Sequence, residues 1–380
     1  MKWRQSHPFI ILSPIRNMQW TSPRVPKLGS GKEEWYTRNN MTRHTVLLLF
    51  GGESSEHDVS ISSARNVYAA IDGEKYDTLL GYIDRNGKWW LIREWTDNLD
   101  MHGGSQLLAA PGTGSFMLIP GNTVIHPDVI LPVLHGKNGE DGTVQGLAAL
   151  VHIPIVGCDT TASAVCMDKV LTKQVLESNG IKTVECAVHH KGEPMPRYGT
   201  ISAKLGSVLF VKPSRAGSSV GVTKVHDEDE FIPAIERALQ HDDRVLIERA
   251  VTGREIETAA LGMPPHHTIA SAVGEIIPGA EFYDYDDKYA SDSTSQVIVD
   301  VDLDADLKEK IRDISRRTFA ALGCMGLSRI DYLVEGDEPY VIEVNTFPGF
   351  TNISMYPKLW RADGLHYPEL VDRLIQDALK

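Results

Sequence analysis

The stretch at residues 329–345 constrains the fold more than any other part of this chain. It consists of two runs in which apolar and polar residues alternate, separated by Gly336 and Asp337. Alternating runs on either side of a Gly-Asp pair are typical of a β-hairpin. One face of this hairpin is predicted to pack in the core, and it carries Ile330, Tyr332, Val334, Tyr340, Ile342 and Val344.

The other face of the hairpin carries the groups expected of a metal site. If the turn is centred on Asp337, antiparallel pairing places Asp331 opposite Glu343, and the two-residue period of a strand adds Arg329 and Asn345. Two carboxylates that face each other destabilise a strand pair unless a cation offsets their charge. Oxygen ligands suit Mg²⁺, which commonly bridges substrate phosphates. The alternative is a solvated charged face on a surface hairpin.

The composition favours small-molecule chemistry in a globular protein. A chain of 380 residues, of which 42% are hydrophobic and 23% charged, has room for two or three domains. Its net charge of −13 argues against general nucleic-acid binding, which needs clustered Lys and Arg. The four cysteines are widely spaced without a C-x-x-C pair, as in cytoplasmic proteins with reduced thiols. No apolar run approaches the roughly 20 residues that span a bilayer, so membrane insertion is not expected.

Residues 1–40 differ from the rest of the chain. They are rich in Arg, Lys, Pro and Trp and lack helical or strand periodicity, and the pattern becomes regular only after Met41. Two interpretations remain open for this segment. It is either a disordered leader or the product of a start codon placed too early, with Met41 as the true start.

The segment after Met41 reads as an α/β unit. An apolar strand at 46–50 runs through a Gly-Gly turn into a helix that starts near Val59, and a second strand at 129–134 leads into a helix near Val144. Such units build an open parallel sheet whose ligands bind at the carboxyl ends of the strands. Both loops are therefore predicted to lie at one edge of the sheet. One helix is predicted over 162–178.

From residue 183 the pattern changes to shorter strands with intervening helices. The predicted strands lie at 183–188, 208–211, 220–225, 244–248 and 255–261. This alternation is typical of α+β units with antiparallel sheets. A helix at 305–322, capped by Asp304, leads into the hairpin.

Two segments between these strands have the chemistry of a nucleotide site. At 212–221, Lys212 ends a strand and a Gly/Ser loop follows; its N–H groups can bind phosphate oxygens, although a plain hairpin turn is the alternative. Glu248, at the end of the next strand, can hydrogen-bond a nucleobase or a ribose. Lys169 alone would be an ordinary surface lysine of a helix.

Two loops near the hairpin are candidates for substrate contacts. The long polar loop at 275–296 is either an active-site lid or a mobile surface loop. After Asn345, Pro348 and Gly349 force a turn beside the metal face. Exposed N–H groups of that turn and the hydroxyl of Ser354 could therefore reach a substrate.

In this order, the motifs closely resemble those of the D-alanine:D-alanine ligases of the ATP-grasp superfamily. The resemblance extends from Met41 to the C-terminus. Its markers are G-G-x-S-x-E at 51–56, H-G-x-x-G-E-D-G at 135–142, M-D-K at 167–169, the loop at 212–221, F-Y-D-Y-x-x-K-Y at 282–289, R-I-D at 329–331 and E-x-N-T-x-P-G at 343–349. Chance recurrence of all seven is negligible.

The resemblance implies the fold and its division into domains. An α/β N-terminal domain with an open parallel sheet, at 41–157, would be followed by an ATP-grasp fold, in which two α+β subdomains clasp ATP between antiparallel sheets. The central subdomain would span 158–250. The C-terminal subdomain, at 251–380, would carry the metal site and the lid loop.

The resemblance also implies the reaction. ATP would phosphorylate the carboxylate of a first D-alanine, and the amine of a second D-alanine would attack that acyl phosphate, releasing ADP and phosphate. Phosphorylation turns a poor leaving group into a good one, which explains a need for metals and cationic side chains. The product, D-alanyl-D-alanine, would serve peptidoglycan synthesis in the cytoplasm. Relatives are typically homodimers.

Residue roles follow from the resemblance position by position. The ligands of two Mg²⁺ or Mn²⁺ ions would be Asp331, Glu343 and Asn345, with Glu343 bridging. The residues that bind ATP would be Lys169, Lys212, Glu248, Val251, Glu255, Phe282 and Lys288. The catalytic and substrate-binding residues would be Glu56, His135, Ser218, Tyr289, Arg329, Gly349 and Ser354.

Within this last group the roles differ. Glu56 would bind the ammonium group of the first D-alanine near His135, and Ser218 would link Glu56 to Tyr289. Arg329 and the Gly349 backbone would stabilise the tetrahedral intermediate, while Ser354 would bind the carboxylate of the second D-alanine.

Tyr289 favours an amine over a hydroxy-acid acceptor, because relatives that use D-lactate often carry phenylalanine there. A ligase with another acceptor and a regulatory module that has lost catalysis are the competing interpretations. Such a module would be expected to lose metal ligands or Arg329 first, and all are present.

Overall fold

The computed structural model describes residues 43–96, 99, 103–217, 219–264, 267–277, 279, 295–299 and 301–380. The predicted leader at 1–40 and most of the predicted lid loop lie outside these residues. The elements fall into three sheets, one within each of the predicted ranges 41–157, 158–250 and 251–380. The domain boundaries themselves stay predictions.

The N-terminal sheet has seven strands, in the order β6-β5-β4-β3-β2-β1-β7. They are β1 (His44–Gly51), β2 (Tyr76–Ile83), β3 (Trp89–Ile92), β4 (Ser105–Ala110), β5 (Ser115–Ile119), β6 (Thr123–Ile125) and β7 (Val129–Val133). Strand β1 lies between β2 and the edge strand β7, is parallel to both and is buried on both faces, which explains its continuous apolar run. The remaining pairs are antiparallel, so the sheet is mixed rather than wholly parallel. Short turns can join antiparallel strands, whereas parallel strands need long crossovers.

Helices follow the two parallel strands that were predicted to lead into them. Helix α1 (His57–Ala70) follows β1, and α2 (Thr143–Val151) follows β7. Because both strands run in the same direction, the loops at 51–56 and 134–142 lie at the same edge of the sheet, as predicted. This edge faces the C-terminal part of the chain, since His135 Nδ1 lies 3.1 Å from the carbonyl oxygen of Phe347.

The single helix predicted over 162–178 is wrong, because the chain forms two helices there. They are α3 (Thr160–Met167) and α4 (Lys169–Ser178), and Asp168 between them is extended. The Asp168 carboxylate accepts hydrogen bonds from the N–H groups of Val170 and Leu171, and it also binds Ser214 and Arg244. Capping and tertiary contacts of one buried aspartate therefore outweigh helix continuation. Lys169 becomes the first residue of α4.

The central sheet is antiparallel, as predicted, with the order β10-β9-β11-β8. Its strands are β8 (Cys186–His190), β9 (Leu209–Pro213), β10 (Thr223–Val225) and β11 (Arg244–Arg249). Two helices, α5 (Tyr198–Leu205) and α6 (Glu228–Ala238), contribute Leu205 and Phe231 to the core of this sheet. The first and third strands begin three residues later than predicted.

The C-terminal sheet is also antiparallel, with the order β14-β13-β12-β15-β16. Its strands are β12 (Arg254–Met263), β13 (His267–Ile277), β14 (Gln296–Val299), β15 (Gly326–Glu335) and β16 (Glu338–Asn345). The helices are α7 (Ala305–Ala321), α8 (Met355–Ala362) and α9 (Tyr367–Ala378). Asp304 caps α7 by accepting the N–H of Asp306, as predicted. None of the helices in the described part of the chain is both long and apolar enough to cross a membrane.

The β15–β16 hairpin has the predicted register at its polar end. Asp331 pairs with Glu343, and Arg329 pairs with Asn345. A bulge then shifts the register, so that Tyr332 pairs with Val341. A bulge adds a residue to one strand and thereby reverses the faces beyond it. The assignment of Tyr340 and Ile342 to the core face is therefore wrong: both are only half-buried, and Val341 packs in the core instead, together with Ile330, Tyr332, Val334 and Val344.

One hydrophobic cluster joins the N-terminal sheet to the C-terminal helices. It includes Val46 and Leu131 of the N-terminal sheet together with Trp360 and Leu370 of α8 and α9. The Tyr76 hydroxyl adds a 2.8 Å hydrogen bond to Asp372. This shared core holds the loop after β7 against the loop after β16, where the predicted substrate residues lie.

Candidate active site

Three neighbouring strands place carboxylates in one row. Glu257 on β12 pairs with Asp331 on β15, which pairs with Glu343 on β16. Arg329 lies among them: its guanidinium donates two hydrogen bonds of 2.7 Å to the two oxygens of Asp331, and its Nε lies 3.2 Å from Glu257 Oε2. Asn345 Nδ2 donates to Asp331 Oδ2 at 3.0 Å. The four polar residues predicted for this face are therefore brought together.

The charge of Arg329 stabilises this row. Burial acts against the guanidinium charge, but the carboxylates of Asp331 and Glu257 outweigh it and hold the pKa of Arg329 well above its usual range. A cation fixed between two carboxylates offsets their mutual repulsion. Arg329 is therefore charged, as a group that stabilises an oxyanion must be.

The same row has the donor chemistry of a magnesium site. The oxygens of Asp331, Glu343 and Asn345 are the hard ligands that Mg²⁺ prefers. Within the described ranges, no three His, Cys, Asp or Glu side chains approach closely enough to ligate one ion. Glu343 Oε1 instead accepts a 3.0 Å hydrogen bond from Lys169. These three oxygen-bearing side chains fit a metal. In this structure Lys169 lies beside Glu343 and Arg329 beside Asp331.

Two of the three predicted lysines, Lys169 and Lys212, lie in the described part of the chain, and both contact carboxylates. Lys169 Nζ, besides contacting Glu343, donates to the carbonyl oxygen of Ala216 at 2.9 Å in the loop after β9. Lys212 extends from β9, and its Nζ lies 2.5 Å from Glu248 Oε2 on β11. Lys169 therefore joins the loop after β9 to the C-terminal sheet, and Lys212 adds a second ammonium group on the central sheet. Phosphates of a nucleotide bind such groups.

The loops at the edge of the N-terminal sheet hold the residues predicted to bind the first substrate. A Cβ atom at Gly136 would lie 2.7 Å from Glu56 Oε2, so the Glu56 carboxylate rests against this glycine. His135 is buried; its Nδ1–H donates to the Phe347 carbonyl, and its Nε2 accepts from the Ser63 hydroxyl at 3.1 Å. Burial lowers the pKa of His135, although Glu56 acts in the opposite direction. His135 is therefore a neutral group that links the loop after β7 to the loop after β16.

Gly349 and Ser354 lie together in the loop after β16. A Cβ atom at Gly349 would lie 3.1 Å from Ser354 Oγ. The hydroxyl of Ser354 is oriented by Thr351, whose N–H donates to it at 3.1 Å and whose own hydroxyl lies 2.7 Å away. This loop thus holds a backbone amide and an oriented hydroxyl side by side, as the predicted acceptor pocket requires.

Comparison with known proteins decides the family. Residues 45–158 match the model described as D-ala D-ala ligase N-terminus, and residues 175–376 match the model described as D-ala D-ala ligase C-terminus. A D-alanine–D-alanine ligase of Clostridium novyi is 43% identical over 345 residues, which cover 88% of this chain and 98% of that protein. The chain belongs to the D-alanine–D-alanine ligase family.

Solved structures of the family have the same fold. The VanG D-Ala:D-Ser ligase from Enterococcus faecalis superposes with a TM-score of 0.82 at 34% identity, over 89% of this chain and 100% of that one. A D-alanine–D-alanine ligase from Bacillus anthracis, crystallised in complex with ATP, gives a TM-score of 0.68 at 31% identity, over 88% and 97%. The predicted ATP-grasp fold is confirmed.

Sequence reasoning missed Glu257, although it completes the carboxylate row of this family member. Glu255 and Glu257 alternate along β12, so both point to the same face, and Glu255 was the one predicted to bind the nucleotide. Glu257 is buried, with only 7% of its surface exposed. The alternation indicated that Glu257 shares a face with Glu255. It could not indicate that Glu257 lies beside Asp331, because that depends on the pairing of β12 with β15, about seventy residues away in the chain.

Glu140 was also missed as a site residue. Its carboxylate accepts the N–H of Gly136 at 2.8 Å and the N–H of Phe347 at 3.1 Å, so it joins the loop after β7 to the loop after β16. Burial and then the nearby Glu56 carboxylate raise the pKa of Glu140 to about 8, although the two backbone N–H groups lower it. The motif at 135–142 contained this residue without indicating its partner.

The remaining predicted nucleotide residues follow β11. Val251 and Glu255 are half-buried in and after the linker to β12. Arg249 at the end of β11 is anchored by an ion pair to Glu335 at 3.1 Å, and its guanidinium lies over the ring of Tyr340. The bulge that moves Tyr340 out of the core therefore supplies a contact for this linker. Four further predicted site residues lie outside the described part of the chain: Ser218, Phe282, Lys288 and Tyr289.

Proposed function

We propose that this protein joins two D-alanine molecules to D-alanyl-D-alanine, with ATP converted to ADP and phosphate. One observation carries the proposal: the Lys169–Glu343 contact brings a lysine predicted to bind ATP against the carboxylate row that surrounds Arg329. A site of this kind can activate a carboxylate by phosphoryl transfer. Membership in the family supports the choice of D-alanine.

The first step is phosphorylation of the donor. An oxygen of the first D-alanine carboxylate attacks the γ-phosphorus of ATP, and ADP leaves, which forms D-alanyl phosphate. We assign the phosphate contacts to Lys169, Lys212 and Lys288, and the nucleoside contacts to Glu248, Val251, Glu255 and Phe282. Asp331, Glu343 and Asn345 would hold two Mg²⁺ or Mn²⁺ ions, which supply positive charge against the phosphates.

The second step joins the two substrates. The free amine of the second D-alanine attacks the carbonyl carbon of the acyl phosphate, and phosphate leaves from the tetrahedral intermediate. We assign stabilisation of the oxyanion to Arg329 and the Gly349 N–H. We assign the ammonium group of the first D-alanine to Glu56 beside His135. Ser354 binds the carboxylate of the second, and Ser218 and Tyr289 complete the polar contacts.

Product identification tests this function. Purified protein is incubated with ATP, MgCl₂ and D-alanine, the products are identified by mass spectrometry, and ADP release is followed in parallel. We expect D-alanyl-D-alanine and ADP release that requires D-alanine. Equal turnover with L-alanine contradicts the proposal. D-serine and D-lactate added as competing acceptors then establish the acceptor class. More D-alanyl-D-serine than D-alanyl-D-alanine among the products would make the protein a D-Ala:D-Ser ligase.

The setting of the reaction belongs to the same proposal. The product is a precursor of peptidoglycan, so we expect the protein to act in the cytoplasm, where ATP is available. Because relatives are typically homodimers, we also expect a homodimer. Light scattering on the purified protein, coupled to size-exclusion chromatography, measures the mass directly. A mass of one chain at micromolar concentration contradicts the dimer.

A further inference from the structure

Lys173 is a buried lysine that sequence reasoning did not assign to the site. It lies one helical turn after Lys169 on α4, so both side chains leave the same side of the helix. Only 4% of its surface is exposed. Its Nζ lies 2.6 Å from Glu248 Oε1 and donates to the carbonyl oxygen of Val184 at 2.7 Å. Lys173 is therefore held in the interior by these two partners.

Glu248 is shared between two lysines. Its Oε1 faces Lys173, and its Oε2 faces Lys212 at 2.5 Å. Burial would raise the pKa of the Glu248 carboxyl, but Lys212 and Lys173 outweigh burial and hold that pKa below its usual range. The carboxylate is therefore ionised, and the three side chains together carry one net positive charge beside the nucleotide cleft.

The pairing creates a conflict for Lys212 that Lys173 can resolve. A buried carboxylate that loses its only cation is strongly destabilised. If Lys212 is to bind the phosphates of a nucleotide, it must weaken its contact with Glu248. With Lys173 in place the carboxylate keeps one cation when Lys212 turns away, whereas without Lys173 it would compete with the phosphates for Lys212.

We propose that Lys173 is a positioning residue that keeps Glu248 paired and thereby frees Lys212 for the nucleotide phosphates. This inference rests on the proposed function insofar as Lys212 is taken as a phosphate ligand. It predicts that the effect of Lys173 on nucleotide affinity passes through Glu248. A residue that merely supports the fold has no such dependence.

The experiment is a double-mutant cycle on nucleotide binding. The dissociation constant of the ATP analogue AMP-PNP with MgCl₂ is measured by calorimetry on the full chain for wild type, Lys173→Met, Glu248→Gln and the double variant. We expect Lys173→Met to weaken binding about tenfold, because Glu248 then retains Lys212 as its only remaining cation. In the Glu248→Gln background the same substitution is expected to change binding by less than about twofold, because a neutral amide does not retain Lys212.

Two further variants serve as a matched control and as a substitute for Lys173→Met. Lys182→Met is the matched control, since Lys182 is an exposed lysine that also forms an ion pair, with Glu338 at 2.7 Å; it should bind the analogue like wild type. Lys173→Gln keeps a donor for Val184 while removing the charge, so it reports the same tenfold loss if Lys173→Met does not fold.

The outcomes separate this inference from the proposed function. Equal losses from Lys173→Met in the wild-type and Glu248→Gln backgrounds overturn the role of Lys173, and so does unchanged affinity in all variants. A wild-type chain that binds the analogue, follows the cycle and yet ligates no D-alanine leaves the role of Lys173 in place and overturns the function. A wild-type chain that binds no nucleotide overturns both.

Discussion

On the C-terminal sheet, Glu257, Asp331 and Glu343 stand in one row across three paired strands, with Arg329 beside the first two and Lys169 beside the third. In the loops of the N-terminal sheet, by contrast, the Glu140 carboxylate accepts backbone N–H groups, and burial near Glu56 raises its pKa to about 8. In the row, side-chain cations offset the negative charge of the carboxylates. Glu140 instead holds a proton at neutral pH and joins two loops.

The difference separates two tasks that the same residue type performs. Carboxylates with fixed cations remain ionised and available to a metal or a phosphate-bearing substrate. A buried carboxyl among backbone groups fixes the relative positions of loops, and its charge state depends on pH. Replacing glutamate with glutamine should therefore damage catalysis in the row, and at Glu140 it should alter mainly the pH dependence of stability.

The largest effect is expected from Glu343→Gln in the row. Loss of this charge weakens metal binding and removes the partner of Lys169, so we expect kcat to fall by about a hundredfold or more. Steady-state ADP release with saturating ATP and D-alanine measures it. Glu338→Gln is the matched control, because Glu338 lies on the same strand and pairs with Lys182 at the surface. Near-normal kcat for Glu343→Gln would contradict the ligand assignment.

Glu257→Gln tests whether the third member of the row contributes. Arg329 would lose one of its carboxylate partners, so we expect kcat to fall about tenfold while the Michaelis constant for ATP changes little. Glu275→Gln provides the control. Glu275 is a buried carboxylate in the same sheet and forms an ion pair of 2.7 Å with Arg254. Its strand partner is Ile256, so its side chain lies on the face of the sheet opposite to Glu257. Equal losses from both variants would mean that Glu257 acts through stability alone.

Ser354→Ala tests the acceptor loop, with a smaller expected effect. Loss of one oriented hydroxyl should raise the Michaelis constant for the second D-alanine about fivefold and leave kcat within about twofold. The two constants for D-alanine are resolved from the dependence of rate on its concentration. Ser178→Ala, at an exposed serine at the end of α4, is the control. An unchanged second constant would remove Ser354 from the acceptor subsite.

The row and the loops also differ in how far they could be predicted. The register of Asp331 with Glu343 followed from a turn signal and a two-residue period, because both strands are local in the chain. The bulge that moves Tyr340 off the core face has no counterpart in the alternation pattern. Asp168 shows the same limit, since its capping of α4 depends on Ser214 and Arg244, which only the folded chain brings near.

Contacts between distant segments account for the rest. The place of Glu257 in the carboxylate row depends on its pairing with β15. The role of Glu140 depends on its hydrogen bond with Phe347, more than two hundred residues further on. Lys173 was not singled out in the sequence, because its role depends on Glu248, which β11 places against it. The family resemblance supplied many site positions, yet it could not indicate which neighbours orient them. Those neighbours are set by packing, which a linear pattern does not encode.

The last prediction concerns Glu140 and the pH dependence of stability. The folded state retains the Glu140 proton up to about pH 8, whereas the unfolded chain releases it near the ordinary pKa of 4.5. Raising the pH between these values therefore lowers the stability of the wild type, by at most about 1.4 kcal/mol per pH unit from this group. Glu140→Gln does not titrate there, so its melting temperature should rise relative to wild type as pH increases from about 5.5 to 8.

Thermal unfolding of both proteins across that range measures the difference. Glu53→Gln is a suitable control, since Glu53 lies at the same edge of the N-terminal sheet and accepts a hydrogen bond from Asn138 at an exposed position. A difference between Glu140→Gln and wild type that stays constant with pH would mean that Glu140 is ionised in the fold. The loops would then hold their carboxylate as the row does, and the contrast between the two regions would fail.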